Sequence, residues 1–512
     1  MIWLLRIEIA GRTWYLASES CEPERDAVAI PHHGSLTVSG FGEGIEIGGG
    51  YSGVCTADVS FHLGPDGWAF FRDGHRLDGA PAEVSLWRPW TNYAAHVVLL
   101  IGRVDADGVI PIDGQDIEAT ITAPIIESAE GWPDGSDVIN LTAWPNTLTD
   151  ENAVDLIGTA YPWPIGRLGP YTDQDGTAKR TSTTEVLIVD DSSGAEVGAI
   201  SGGPVAATSV RIWNSTDKDA ADFAVSTTID GDGKARATVS FAAAPAGWVF
   251  DGSEKFYVND WGEGGLLGDF STSTSWGLGD AILFLLLRRY GEDGPEQVDV
   301  GSWLAYRTIL NGWEVGLAPT PGDDPLNAIK NDLLPLCPAL WIVGGPLGYR
   351  PIYFEETPGA LCRRLTVGRD IFSTDDQPGF VSIQPLNSMT VSFAPSTARG
   401  DLRGVQTTDP NSLSEAAASV TRHGARAESL ETSATFDRGT AGLAGREAIR
   451  TRWTPPIYLI YETPADVALT LTLGERVRIV DEDRGLDDRL CWIMARETDD
   501  GETWAITVIG YW

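Results

Sequence analysis

Carboxylates are the most abundant chemically capable side chains in this sequence, and their spacing decides what they could do. Glu355 and Glu356 follow PIYF, and glycoside hydrolysis needs two carboxyl groups facing each other across roughly 5 to 10 Å. Neighbouring residues of a strand point to opposite faces, so this pair does not converge on one bond. Three DxDG tracts, at 105–108, 173–176 and 230–233, invite a Ca²⁺ reading, but none continues to the terminal carboxylate of an EF-hand loop. They read as tight β-turns. The six histidines, His32, His33, His62, His75, His96 and His423, show neither HxH nor HExxH spacing. Five cysteines, Cys21, Cys55, Cys337, Cys362 and Cys491, are scattered without CxxC or Cys/His spacing. They read as small buried hydrophobes rather than a disulfide set or metal site. With no GxSxG elbow and no phosphate-binding glycine loop, the expectation is no catalytic residue, no metal and no cofactor. The chain is not read as an enzyme.

Charge carries more information than any motif. The formal net charge is -37, from 73 acidic and 36 basic residues, and a sequence-independent nucleic-acid binder needs the opposite balance to displace counterions from phosphates. Twelve acids against the single base Arg103 fall between 101 and 160. A solvated acidic face is the default reading; the sharper one is a negative wall facing something that is itself negative. The 19 tryptophans sit mostly within apolar strand or helix patterns, which favours core packing over a sugar-binding surface.

The elements that must position these residues are mainly strands. At 512 residues with 42% hydrophobic content, the chain can bury several cores. Residues 1–125 carry short alternating or apolar runs (IWLLRIEI, TWYLA, ADVSFHL, AEVSLWRPW, HVVLLIGRV) divided by Gly, Pro and Asp turns, as an antiparallel β domain does. Residues 126–275 comprise a Pro- and Trp-rich connector and a second β-rich block. Residues 276–364 hold an α/β module: a helix from about 279 with Asp280 as N-cap, a second over 298–313, a third opening at Pro325 with Leu326, Ile329, Leu333 and Leu334 on one face, and two strands around GGPLG. Residues 365–512 return to β structure with one helix, 439–453, and a polar stretch, 412–436, that could wrap over a surface. MIWLLRIEIAG reads as a first strand rather than a signal peptide, and AILFLLL is far too short to cross a bilayer. In DDGETWAITVIGYW, Trp504, Ile506, Val508, Gly510 and Trp512 alternate with Thr503, Ala505, Thr507, Ile509 and Tyr511, the pattern of a buried final strand. The expected fold class is mainly β with an α+β insertion: several β-barrel or sandwich domains and one small helical α/β module.

The order of segments resembles the baseplate hub, or tail-tip hub, proteins of long-tailed bacteriophages of the siphophage and gene-transfer-agent type. The resemblance rests on WGLGDAILFLLLRRYGEDGPEQVDVGSWLAYRTILNGWEVG (276–316), on DDPLNAIKNDLLPLCPALWIVGGPLGYRPIY (323–353), and on the ending from Ala465, with Leu473-Gly474-Glu475-Arg476-Val477 before a final aromatic strand. The resemblance implies a structural virion protein, made in the host cytoplasm and located at the tail tip. It implies a homotrimer in which two β domains per chain, 1–125 and 365–512, build a pseudo-sixfold ring. The ring would join a distal tail protein or the hexameric tail tube to a threefold tip or central fibre, and would surround the path of genome ejection. A separate tip protein is expected. DNA would then pass without binding, which makes Asp105, Asp107, Asp113, Asp116 and Glu118 candidates for lining the channel, and Trp504, Tyr511 and Trp512 candidates for packing between domains or subunits. The alternatives are a receptor- or glycan-binding tail protein and a virion glycoside hydrolase.

Overall fold

The computed structural model describes residues 1–9, 11–22, 24–25, 28–45, 55–63, 76–88, 96–105 and 117–123, short segments between 138 and 259, and residues 277–290, 298–317, 325–343, 348–354, 362–374, 378–380, 383–396 and 401–510. The fold is mainly β with helical insertions. Seven longer strands come from the N-terminal part: β1 (Ile2–Ile9), β2 (Arg12–Ala17), β3 (Leu36–Gly44), β4 (Cys55–Phe61), β5 (Pro81–Trp87), β6 (Val97–Asp105) and β7 (Ile117–Ala123). In β4 and β7 the alternation is strict: Cys55, Ala57, Val59 and Phe61, and Ile117, Ala119, Ile121 and Ala123, are all buried, while the residues between them are not. Both strands were built to cover a core on one side only. That core gathers Leu5, Ile7, Phe41, Phe61, Val84 and Leu100 with their neighbours.

The central module begins with α1 (Leu278–Tyr290) and α2 (Val300–Leu310). Asp299 caps α2, its carboxylate accepting from the Ser302 N–H at 3.0 Å and from the Ser302 hydroxyl at 2.6 Å. Asp280 does not cap α1. It lies inside the first turn, 3% exposed, and pairs with Arg307 of α2 at 3.1 Å, so it ties the two helices together. From Pro325 the chain runs as a helical turn, a π turn and a 3-10 turn to Leu336, and Leu326, Ile329, Leu333 and Leu334 are all buried. Strands β8 (Leu340–Val343) and β9 (Arg350–Tyr353) follow as an antiparallel pair.

The C-terminal part holds β10 (Arg363–Thr366), β11 (Ser388–Ser396), β12 (Asp401–Thr408), α3 (Ser414–His423), β13 (Ala427–Glu431), α4 (Arg438–Arg452), β14 (Ile457–Pro464), β15 (Arg476–Asp481), β16 (Leu486–Thr498) and β17 (Thr503–Gly510). The polar stretch after 412 is more regular than its composition implies. It forms α3, which stops at Gly424 with φ +73°, and then β13, which pairs parallel to β11. The sheet β12-β11-β13 and α4 pack into the same core as α1, α2 and the 325–336 turns. β17 lies between β14 and β16, so the last strand is interior to its sheet. Among the described residues no helix is long and apolar enough to cross a membrane.

One sheet of 15 strands unites the two ends of the chain, in the order 372–373, β14, β17, β16, β3, β4, β7, β6, β5, β1, β2 and 33–34; off this path β15 pairs with β16, β10 pairs with β15, and 379–380 pairs with β14. β16 makes this possible through its length of 13 residues. Along one edge its first half pairs with β15, and Ala495 to Thr498 then pair with Gly44 to Phe41 of β3.

The cap of α4 was not read from sequence, which placed the helix start at Gly439. Asp437 accepts from the Thr440 N–H at 2.6 Å. Replacing Asp437 with Ala is expected to lower stability by about 1 kcal/mol, measured as a shift of the urea unfolding midpoint.

Candidate functional site

Two features stand out, and both arise where β3 meets β16. The first is a buried junction. Glu43, 4% exposed, and Arg496, 9% exposed, form an ion pair through both Nε and Nη2 of the guanidinium. Arg496 Nη1 also donates to the carbonyls of Ala468, at 2.9 Å, and Leu471, so the arginine satisfies the end of the short helix Ala465–Ala468. Trp504, fully buried, stands edge-on to Phe41 with ring centroids 5.6 Å apart, and Phe41 in turn lies 6.4 Å from Trp3. Its indole N–H donates to the Gly501 carbonyl at 3.3 Å. Thus Trp504, carried by the C-terminal strand, belongs to the N-terminal core, together with Ala465 and Ala468.

The second feature is an exposed face. Residues directly opposite in adjacent antiparallel strands share a side of the sheet, and one row runs Glu462, Ala505, Glu497, Gly42, Thr56, Thr122, Arg103 across β14, β17, β16, β3, β4, β7 and β6. A neighbouring row runs Gly40, Asp58, Thr120, Asp105, and a third Thr37, Ser60, Glu118. The Thr120 hydroxyl donates to Asp58 at 2.7 Å. A Cβ built on Gly40 would lie 3.8 Å from an Asp58 carboxylate oxygen and 3.9 Å from one of Asp499, which brings Asp499 to the same place. Apart from Ala505 and Arg103, these rows are made of small hydroxyl, glycine and carboxylate residues, and the first of them crosses the junction without interruption.

Of the candidate acids, Asp105 and Glu118 lie on this face, both exposed, while Asp107, Asp113 and Asp116 fall outside the described residues. Tyr511 and Trp512 fall outside them too, as do Glu355 and Glu356. Sequence reading missed Asp58, Glu462, Glu497 and Asp499 on the face, and Glu43 with Arg496 beneath it. Alternation in CTADVSF and YLIYETP marked Asp58 and Glu462 as solvent-facing. Nothing in the sequence says that Glu43 and Arg496, 453 positions apart, lie on neighbouring strands of one sheet.

Several other titratable groups among the described residues have structural surroundings. Burial, and then Glu19, push the Cys21 thiol up to about 11, and burial pushes Cys491 up to about 12. Cys55 is raised by burial and by the adjacent Glu43. Such thiols stay protonated and make poor nucleophiles. Asp481, fully buried, accepts from the Tyr461 hydroxyl at 2.9 Å and pairs with Arg484 at 3.2 Å, locking β14 to β15. Among the described residues no group of three or more His, Cys, Asp or Glu side chains could hold a metal ion.

No family model matches the chain, and no curated protein does. Solved structures similar to it include a tail protein from Neisseria meningitidis MC58, at 8% identity and a TM-score of 0.39, covering 99% of this chain and 96% of that one. A prophage tail protein, gp18, from Listeria monocytogenes EGD-e shares 9% identity at a TM-score of 0.24, covering 59% of this chain and 94% of that one. A topological model of the p2 virion baseplate in its activated conformation shares 8% identity at a TM-score of 0.18, covering 68% of this chain and 98% of that one. These superpositions are too loose to transfer a role to any residue.

Truncating Trp504 to Ala removes the largest side chain that the C-terminal strand contributes to the N-terminal core. The expected cost is about 3–5 kcal/mol, read from urea unfolding followed by circular dichroism. A second expectation concerns pH. Burial raises the carboxyl pKa of Asp280, Asp332 and Glu447 above the usual range, so each binds its proton more tightly folded than unfolded. Their stabilising contribution is complete below the unfolded pKa and is lost as pH rises through the folded one. The unfolding midpoint should therefore rise as pH falls from neutral toward the ordinary carboxyl range at about pH 4. Below about pH 4 the trend should reverse, because Asp370, held low by Arg369, and Asp500, held low by the Thr503 backbone N–H, then lose the partners of their charged forms.

Proposed function

We propose that this chain is a structural component of a bacteriophage tail tip, a baseplate hub, and that its exposed carboxylate face lines the channel through which DNA leaves. The observation that carries the reading is the continuous row of small and acidic residues across the β3–β16 junction. Asp58, Asp105, Glu118, Glu462 and Glu497 stand on one side of a single sheet, with Arg103 as the base paired into the same rows. Each cation lining a DNA path adds a phosphate contact and favours retention. Carboxylates repel the phosphates over the ~8 to 10 Å that salt allows, and the short Ser, Thr and Gly side chains between them leave a smooth wall. Asp107, Asp113 and Asp116 are assigned to the same lining.

The order of segments supports the hub in particular: the helix pair at 276–316, the helix and hairpin at 323–353, and the closing sheet from 465. In that reading three chains, each supplying a β unit from 1–125 and another from 365–512, form a pseudo-sixfold ring, with Tyr511 and Trp512 packed between domains or subunits. The 126–275 and 276–364 segments lie outside the ring. The ring's partners are the distal tail protein or tail tube on one side and a tip or fibre on the other. The protein acts in the virion, has no catalytic task and needs no cofactor.

Light scattering and negative-stain electron microscopy of the purified protein should show trimeric rings with a central opening, and a stable monomer in assembled tails overturns the hub. The channel assignment has its own measurement. Asp58→Arg, Asp105→Arg and Glu497→Arg combined should create DNA affinity that falls with salt, with a slope of log K against log salt growing by roughly 0.9 per phosphate neutralised. If the triple variant in an intact ring gains no DNA binding, the face does not line the path.

A further inference from the structure

The wall that completes the N-terminal core is supplied from the opposite end of the chain. β16 brings Ala495–Thr498 onto β3, the turn that follows brings Gly501 against Trp3 and Leu86, and β17 brings Trp504 into the core. A Cβ on Gly501, whose φ is +75°, would sit 3.2 Å from both the Trp3 ring and a Leu86 methyl, so the backbone of this turn itself covers them. The turn is braced by its own hydrogen bonds. Asp500 accepts from the backbone N–H groups of Glu502, at 2.7 Å, and Thr503, at 2.8 Å, and the Thr498 hydroxyl donates to the Thr503 carbonyl at 2.7 Å while accepting from the Gly501 N–H at 2.9 Å. The Ala465 N–H donates to the Glu502 carbonyl at 2.9 Å, and the chain's amino group pairs with Glu502 at 3.3 Å.

We propose that residues 494–504 are a latch: one strand-and-turn body whose docking completes the N-terminal core, so that the two β-rich ends of the chain are stable only together. Displacing the latch uncovers Trp3, Phe41 and Leu86 and strands the Glu43 carboxylate in an apolar wall without Arg496, so partial opening at this seam is disfavoured from both sides. The inference rests on the junction alone and stands apart from the tail-tip reading.

Hydrogen exchange on the full-length chain tests it. In Glu43→Gln, which leaves the arginine buried without its counter-charge, exchange should accelerate by the same factor, on the order of 100-fold, in β1, β4 and β17. Acceleration confined to residues 476–510, with wild-type rates in β1 and β4, overturns the latch. Should that variant fail to fold, a cross-link gives the converse measurement. A Cβ on Gly44 would lie 3.4 Å from that of Ala495, close to the separation a disulfide needs. In Gly44→Cys/Ala495→Cys, oxidation should slow exchange in β4 and β7 by at least about tenfold relative to the same chain reduced. Unchanged rates there would sink the proposal.

Discussion

The buried pair of Glu43 and Arg496 is the interaction on which the rest of the arrangement depends. Two opposite charges taken out of water are tolerated only if they meet in good geometry with their other hydrogen bonds satisfied. Here the arginine meets Glu43 and the carbonyls of Ala468 and Leu471 together. That requirement holds three pieces of chain in one place: the end of β3, the short helix after β14, and the second half of β16. Edge strands left open invite wrong partners. The edge of β3 is closed by β16, and the far half of that same β16 edge by β15, so one long strand resolves two open edges while the ion pair sets the position of the crossing.

Once that register is set, everything on either side of the sheet follows from its period of two. The inner side places Phe41 and Trp504 in contact, and apolar burial across the seam of order 25 cal/mol per Å² accounts for why aromatic residues concentrate there. The outer side places Asp58 in the row of Asp105, and Glu497 and Glu462 in the neighbouring row. A slip of one residue between Gly42 and Glu497 would turn Arg496 outward and Glu497 inward, exchanging the buried pair for a buried carboxylate without a partner. The carboxylate face and the ion pair are thus two sides of one register.

The central module solves a different problem with the same means. Its helices are largely apolar, AILFLLL in α1 being buried almost throughout, so helix faces alone do not specify how α1 and α2 meet. Asp280 supplies the specification by reaching Arg307, with Asn311 donating to it at 3.3 Å. Gly277 sits against the backbone of Asn311 closely enough that a Cβ would be 2.2 Å from its Cα, so the two helices approach where no side chain stands between them. The cost is a carboxyl group whose ionisation opposes burial.

Strand and helix positions were largely legible from local pattern, because alternation and helical spacing are properties of neighbouring residues. β1, β2, β4, β5, β6 and β17 follow runs visible in the sequence, as does the buried face of the 325–336 turns. The regions read less well were those in which polar residues compete. α3 and β13 look like a polar wrap because their exposed positions carry Ser, Glu and Thr, and β3 is masked by its Gly and Ser content; each is held by its partner strand or helix rather than by its own propensity. The acidity of the chain and the outward aim of single carboxylates belonged to the sequence alone. Which carboxylates stand together, and that Trp504 belongs to the core begun by Trp3, were decided only by the tertiary structure, because strand pairing between distant segments depends on geometry and burial that no local spacing encodes.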